Sequence, residues 1–310
     1  MVEVPAPTRL IDAQAVSRQL QRLASGPGAP WLHQEIGRRL VQRLALIRMQ
    51  PDCIIDWWAG LGAADPMLAE AYPKAQRVAV EPSLAWQTRT TRQRHLPWWS
   101  AKRWTASPQS VLLEDAQLPK AQLLWSNMML HASIDPVAVI ERWHGLLQPG
   151  GFLMFSCLGP GSLLGLRQIY QQHQWPVPTI DFVDMHDLGD MLVRAGFADP
   201  VMDQELLTLT WATPEALLEE LRTLGANAHP GRYAGLRTMQ WKSQLLQSLE
   251  LLRGADGRLQ LQFEISYGHA FKAAPRVKVA SEARISVDDM RVMARSGSAK
   301  TKPPGPPSVG

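Results

Sequence analysis

The chain has 310 residues, 45% hydrophobic and 19% charged, with a formal net charge of +4. That length suits one large domain with an insertion or two modest domains, and either can bury a real core. No apolar run is long enough to span a bilayer, and no signal-peptide core stands near Met1, so a cytoplasmic protein without a membrane span is expected. Only Cys53 and Cys157 occur, both read as reduced, small apolar residues. Without CxxC or HxxxH spacing, no metal site is expected.

Two helical segments are predicted first, Asp12–Ala24 and Leu32–Ile47, separated by the breaker Ser25-Gly26-Pro27-Gly28-Ala29-Pro30. Strands and helices then alternate: strand Cys53–Ile55, helix Met67–Tyr72, strand Arg77–Val80, helix Leu84–Arg94, strand Leu123–Trp125, helix Pro136–Leu147 and strand Gly151–Cys157. A further strand is expected within Trp98–Trp104 or Ser110–Leu113. Strands separated by helices predict an α/β fold with a doubly wound parallel sheet. Helices at Leu163–His173 and Met185–Ala195 follow, the latter ending at the C-cap glycine Gly196. Met202–Trp211 and Arg258–Lys272 alternate as strands, with a helical stretch between them that is too long for a hairpin turn. It reads as a lid inserted between two final, adjacent strands. Its stripe Leu217, Leu218, Leu221 and Leu224 is expected in the core rather than in a substrate channel.

The chemistry-bearing motif is Ile54-Ile55-Asp56-Trp57-Trp58-Ala59-Gly60-Leu61-Gly62, a strand running into a glycine-punctuated turn and a helix. Such a turn cradles an adenosine cofactor at a helix N-terminus. Gly60 and Gly62 stand in the usual pattern, but Trp58 occupies the first glycine position. Glu81, ending the next strand, is placed to accept from ribose hydroxyls. Asn127 stands just past another strand end, where residues face the ligand crevice. Arg89, Arg92, Arg94, Lys102 and Arg103 interleave with Trp86, Trp98, Trp99 and Trp104. They read either as a solvated helix beside a Trp-rich strand or as a docking patch for an acidic protein; nucleic-acid binding is not expected.

LLWSNMMLH, LQPGGFLMFSCLGPGSLLGLR, FVDMHDLGDMLVRAGFADPVMD and FEISYGHAFK together resemble the malonyl-[acyl-carrier protein] O-methyltransferases of biotin synthesis. These are class I S-adenosylmethionine (SAM) methyltransferases. The resemblance covers residues 32–272 and is strongest over 125–203. It implies a seven-stranded Rossmann-like sheet, SAM as cofactor, and a malonyl thioester of acyl carrier protein or CoA as substrate. It implies cofactor contacts at Asp56, Gly60, Gly62, Glu81, Asp115, Asn127 and Met128. For the substrate carboxylate a cation is required, and Arg167 is the first choice, with His131 and Tyr267 as further substrate-binding candidates. No catalytic base is assigned.

The expected organisation is an N-terminal helical segment 1–31, a SAM-binding domain 32–212, a lid 213–257, a final strand 258–272 and a C-terminal extension 273–310, disordered from about 296. The alternatives are a non-catalytic relative that binds a partner, motivated by Trp58, and a methyltransferase for another small acid. Oligomeric state stays open.

Overall fold

The computed structural model describes residues 10–94, 109–114, 117–225 and 227–274, together with 287, 288 and 291. The chain divides into two units, 1–274 and 275–310. In the second, Arg291 pairs with Asp288 one helical turn away. Everything below concerns the first.

Seven strands form one sheet: β1 (Cys53–Trp57), β2 (Gln76–Glu81), β3 (Gln109–Leu112), β4 (Ala121–Ser126), β5 (Leu147–Leu158), β6 (Phe197–Trp211) and β7 (Leu259–Lys272). Their order is β3-β2-β1-β4-β5-β7-β6, with β7 antiparallel to both neighbours and β1 to β5 parallel. The predicted doubly wound sheet with adjacent final strands is therefore observed. The third strand falls at the second of its two expected places; Trp98–Trp104 lies outside the described residues. β5 begins earlier than Gly151, because Leu147 already pairs with Ala121 and the register slips before Leu123 meets Phe152. Pro149-Gly150 thus makes a bulge inside the strand rather than a turn before it.

Helices α1 (Ala13–Ala24), α2 (Trp31–Arg43), α3 (Ala59–Gly62), α4 (Asp65–Ala71) and α5 (Leu84–Arg94) precede β3, and α6 (Pro136–Leu146) joins β4 to β5. α7 (Leu164–Gln172) and α8 (Met185–Arg194) separate β5 from β6. α9 (Pro214–Thr223) and α10 (Met239–Leu249) form the insert between β6 and β7. Gly196 follows α8 at φ +94°, the left-handed conformation that lets the chain leave the helix. Asp184 caps α8 through the amide of His186, which accounts for the acids around that histidine.

Apolar side chains alternate across β1: Ile54 joins the core beneath α2, α4 and the insert, while Ile55 and Trp57 join the core beneath α6 and α8. Trp57 meets Trp143 edge to face at 6.2 Å. The stripe on α9 divides: Leu217 is fully buried in the core, whereas Leu218, Leu221 and Leu224 line a cavity. All four pack in or against the core as expected, and the last three present their remaining surface to the cavity.

Candidate functional site

The carboxyl ends of β1, β2 and β4 bring Asp56, Glu81 and Asn127 together, and all three side-chain-bearing residues are fully buried. The turn after β1 is shaped by Trp58, which takes a left-handed conformation (φ 57°, ψ 48°) and whose carbonyl accepts from the amides of Leu61 and Gly62. A non-glycine residue there carries a strain of about 1–2 kcal/mol. The Trp58 indole is buried in one cluster with Leu20, Leu23, Leu61 and Trp86, and its Nε1 has no partner.

Gly60 sits under α5. A Cβ there would stand 2.6 Å from Thr90 Oγ1 and 2.7 Å from Trp86 Cε3. The glycine therefore admits the chain's own helix against the loop. Glu81 Oε1 accepts from the Gly60 amide (2.9 Å) and from Thr90 Oγ1 (2.6 Å), while Oε2 is buried without a partner. Burial raises the Glu81 pKa to about 7 against the pull of those two donors. Asp56 is more extreme: neither oxygen has a hydrogen bond, Arg94 Nη2 stands 3.8 Å away, and burial lifts its pKa to about 8. Arg94 is itself buried, 2.5 Å from Asp65.

Asn127 ties the site together. Its Nδ2 donates to the carbonyls of His33 (2.7 Å) and Gly62 (2.6 Å), and its Oδ1 accepts from Ser156 Oγ (2.7 Å). Met128 follows in the left-handed region (φ 55°), with its amide on the Ser156 hydroxyl and carbonyl. His33 is buried with Nδ1 3.0 Å from the Leu61 carbonyl, and burial drops its pKa to about 4, so at neutral pH it is an uncharged donor. Asn127→Ala would leave two carbonyls and a hydroxyl without their partner. We expect a loss of about 3 kcal/mol in urea unfolding.

α1 closes the crevice from above. The Leu20 carbonyl accepts from Trp86 Nε1 (3.0 Å), and Arg89 Nη1 donates to Ala24 and Gly26 carbonyls at 2.8 Å each. At its other end the Asp12 amide donates to the Ala228 carbonyl, and its carboxylate pairs with Arg232 at 2.6 Å. The helix is a strap from α5 to the insert. Within the basic run, Arg89 caps α1 and Arg94 is buried against Asp65, whereas Arg92 is exposed; Lys102 and Arg103 lie outside the described residues.

Beyond this strap lies a cavity of about 560 Å³. Its floor holds His131 after β4, Leu158 and Leu163 at the end of β5, and Phe263 of β7; the insert forms its roof. His131 Nδ1 accepts from the Leu158 amide at 3.3 Å, which puts any neutral-ring proton on Nε2. Arg22, Arg222, Arg237 and Lys242 line the cavity, and no carboxylate does among the described residues.

The other two substrate candidates stand elsewhere. Arg167 donates to Thr179 Oγ1 (2.9 Å) and the carbonyls of Pro160 and Ile180, and lies 5.2 Å over the Phe182 ring. It links Pro160, before α7, to Thr179 and Ile180, after it, through three of its five N–H donors. Tyr267 is buried on β7 with its hydroxyl on Glu205 (3.1 Å) and Arg43 stacked at 3.7 Å, away from the cavity. Asp115 lies outside the described residues.

Three orphaned carboxylate oxygens are the natural acceptors for a ligand rich in hydroxyl and ammonium donors, and SAM is one. This set of acceptors fits that cofactor. At Gly60 the space is taken by Trp86 and Thr90, and Trp58 is buried in the same cluster as Trp86. Trp86, Thr90, Arg94, His33 and Ser156 adjoin Gly60, Glu81, Asp56 and Asn127, a proximity that motif spacing does not point to.

No protein-family model matches the chain. Among curated proteins, the malonyl-[acyl-carrier protein] O-methyltransferase of Gallionella capsiferriformans is 37% identical over 274 residues, 86% of this chain and 93% of that one. The protein of the same name from Laribacter hongkongensis is 38% identical, over 79% of this chain and 84% of its own length. Among solved structures, the YcgJ protein of Bacillus subtilis shares the fold with a TM-score of 0.53 at 8% identity, over 76% of this chain and 98% of that one. A candidate methyltransferase of Bacillus halodurans follows with a TM-score of 0.50 at 13% identity, over 77% of this chain and 99% of that one. With the sheet order of the resemblance, the acids at its predicted strand ends and relatives of that identity along most of its length, the chain belongs to the malonyl-[acyl-carrier protein] O-methyltransferase family.

Proposed function

We propose that the protein is a SAM-dependent carboxyl O-methyltransferase that esterifies the free carboxylate of a malonyl thioester, carried by acyl carrier protein or CoA, in biotin synthesis. The observation that carries the reading is the cavity at the ends of β4 and β5, lined by apolar groups and cations without a carboxylate, in a chain 37% identical to such an enzyme. Among the described residues no helix is long and apolar enough to cross a membrane, and a cytoplasmic site of action accords with the substrate.

The bound cofactor would supply an electrophilic methyl group. Asp56 and Glu81 would hold its ammonium and ribose ends, with Asn127 keeping the Gly62 turn in place beneath them. A malonyl carboxyl is ionised at neutral pH, so no base is needed. What the chain contributes is orientation: apolar walls such as Leu158, Leu218 and Leu221 exclude water, and a cation fixes the carboxylate. Such positioning supplies roughly 7–11 kcal/mol.

With methyl-labelled SAM and malonyl-loaded carrier protein, a base-labile labelled methyl ester is the expected product. Absence of transfer by both wild type and Trp58→Gly, to the carrier thioester and to malonyl-CoA alike, sinks the reading. A second reading, a non-catalytic relative that binds a partner, is favoured by the packing of Thr90 and Trp86 on Gly60. The same absence of transfer is its expected result.

A further inference from the structure

Of the four cations on the cavity wall, Arg22, Arg222 and Lys242 are exposed, whereas Arg237 is half-buried. Its guanidinium lies 3.9 Å from the Tyr233 ring centroid and 4.2 Å from that of Trp241. Stacking fixes the plane of the group but uses none of its N–H donors. Arg237 has no hydrogen bond or ion pair among the described residues, in contrast to Arg167, which donates to Thr179, Pro160 and Ile180. Trp241 is in turn held by Tyr170 (6.4 Å) and Trp175 (5.3 Å), so the platform is itself braced.

A half-buried cation on an apolar wall, oriented and unpaired, is a site for a planar anion. We propose that Arg237 is the specificity-determining residue of the cavity: it binds the free carboxylate of the acyl thioester side-on through two N–H donors and rejects acyl groups that lack one. The thioester class rests on the function proposed above; the anion selectivity rests on the cavity alone. A neutral acyl chain of the same length finds the apolar walls but leaves the guanidinium unpaired.

The experiment is calorimetric titration of the full chain with malonyl-pantetheine and with butyryl-pantetheine, its near-isosteric neutral counterpart. Wild type is expected to prefer malonyl by about tenfold or more. Arg237→Met keeps a long apolar stem and is expected to erase that preference while holding butyryl affinity; Arg237→Lys is expected to fall between. If Arg237→Met also loses butyryl binding, Arg237→Gln, planar and neutral, decides by the same comparison. Retention of the malonyl preference in either neutral variant overturns the proposal, as does a wild type indifferent to charge. If wild type selects another anion such as succinyl and Arg237→Met abolishes that selection, the anion site stands and the malonyl reading falls. If malonyl is esterified and Arg237 variants change nothing, the malonyl reading stands and the proposal falls.

Discussion

A Trp58→Gly variant should bind SAM at least about tenfold more tightly than the wild type and yet melt at a lower temperature. The two effects have different sources. Glycine relieves the left-handed strain at φ 57°, about 1–2 kcal/mol. It also removes a buried indole from the cluster with Leu20, Leu23 and Trp86, at a cost of about 3–5 kcal/mol. Burial outweighs strain, so the folded state loses roughly 2–3 kcal/mol. Ligand affinity responds the other way. Asp56 and Glu81 are wholly buried, so the cofactor must first displace what covers them, and that opening is subtracted from its binding energy. Each 1.4 kcal/mol of opening removed returns about a factor of ten in affinity. Trp58→Ala separates the terms: it clears the same space but keeps the strain, so it should also bind more tightly and be less stable than Trp58→Gly. Calorimetric titration with SAM, beside thermal melts without it, reads both. Unchanged or weaker binding in both variants would show that the indole does not stand in the cofactor's way, and a raised melting temperature would show that strain exceeds burial.

The parts of this site that sequence reveals are the local ones. Ile54 and Ile55 before Asp56 read as a buried strand, and Glu81 and Asn127 fall at strand ends because hydrophobic runs stop there. Gly196 is legible as a cap because a helical pattern ends just before it. What spacing leaves hidden is side-chain traffic between distant elements. Trp86 Nε1 reaches Leu20 across 66 positions, and Glu264 packs under the Gly159-Pro160-Gly161 turn from 103 positions beyond Gly161. Arg167 has the right type and place for a carboxylate, yet it donates to the carbonyls of Pro160, before α7, and Ile180, well after it. Arg237 stands in a stretch without periodicity, and only the fold sets it between two rings. Trp58 lies between these cases: its missing glycine is visible in the sequence, but the direction of its ring depends on α1 and α5.

The buried acids make the cofactor-free protein less stable as pH rises from 6.5 to 8.5. Asp56, raised from 3.8 to about 8, and Glu81, raised from 4.5 to about 7, hold protons in the folded state that the unfolded chain has already released. Stability from these groups is therefore fully present below the unfolded pKa values and is lost as pH climbs through the folded ones. His33 works in the opposite sense: its pKa falls from 6.5 to about 4, so its contribution grows with pH and is complete near 6.5. Above 6.5 the descending slope belongs to the two acids, and about 2–3 kcal/mol should be lost by pH 8.5. Asp56→Asn should flatten most of that slope and Glu81→Gln a smaller part, because Asp56 has the higher pKa. A flat wild-type profile would mean that these carboxyls are hydrated and ionised, and the closed crevice would go with it. The same protons couple to the ligand. If hydroxyl and ammonium donors replace them on Asp56 and Glu81, binding at pH 7 releases protons and affinity rises toward pH 8.5. Titrations in buffers of different ionisation enthalpy measure that release directly, and a binding enthalpy independent of the buffer would place the cofactor away from both acids.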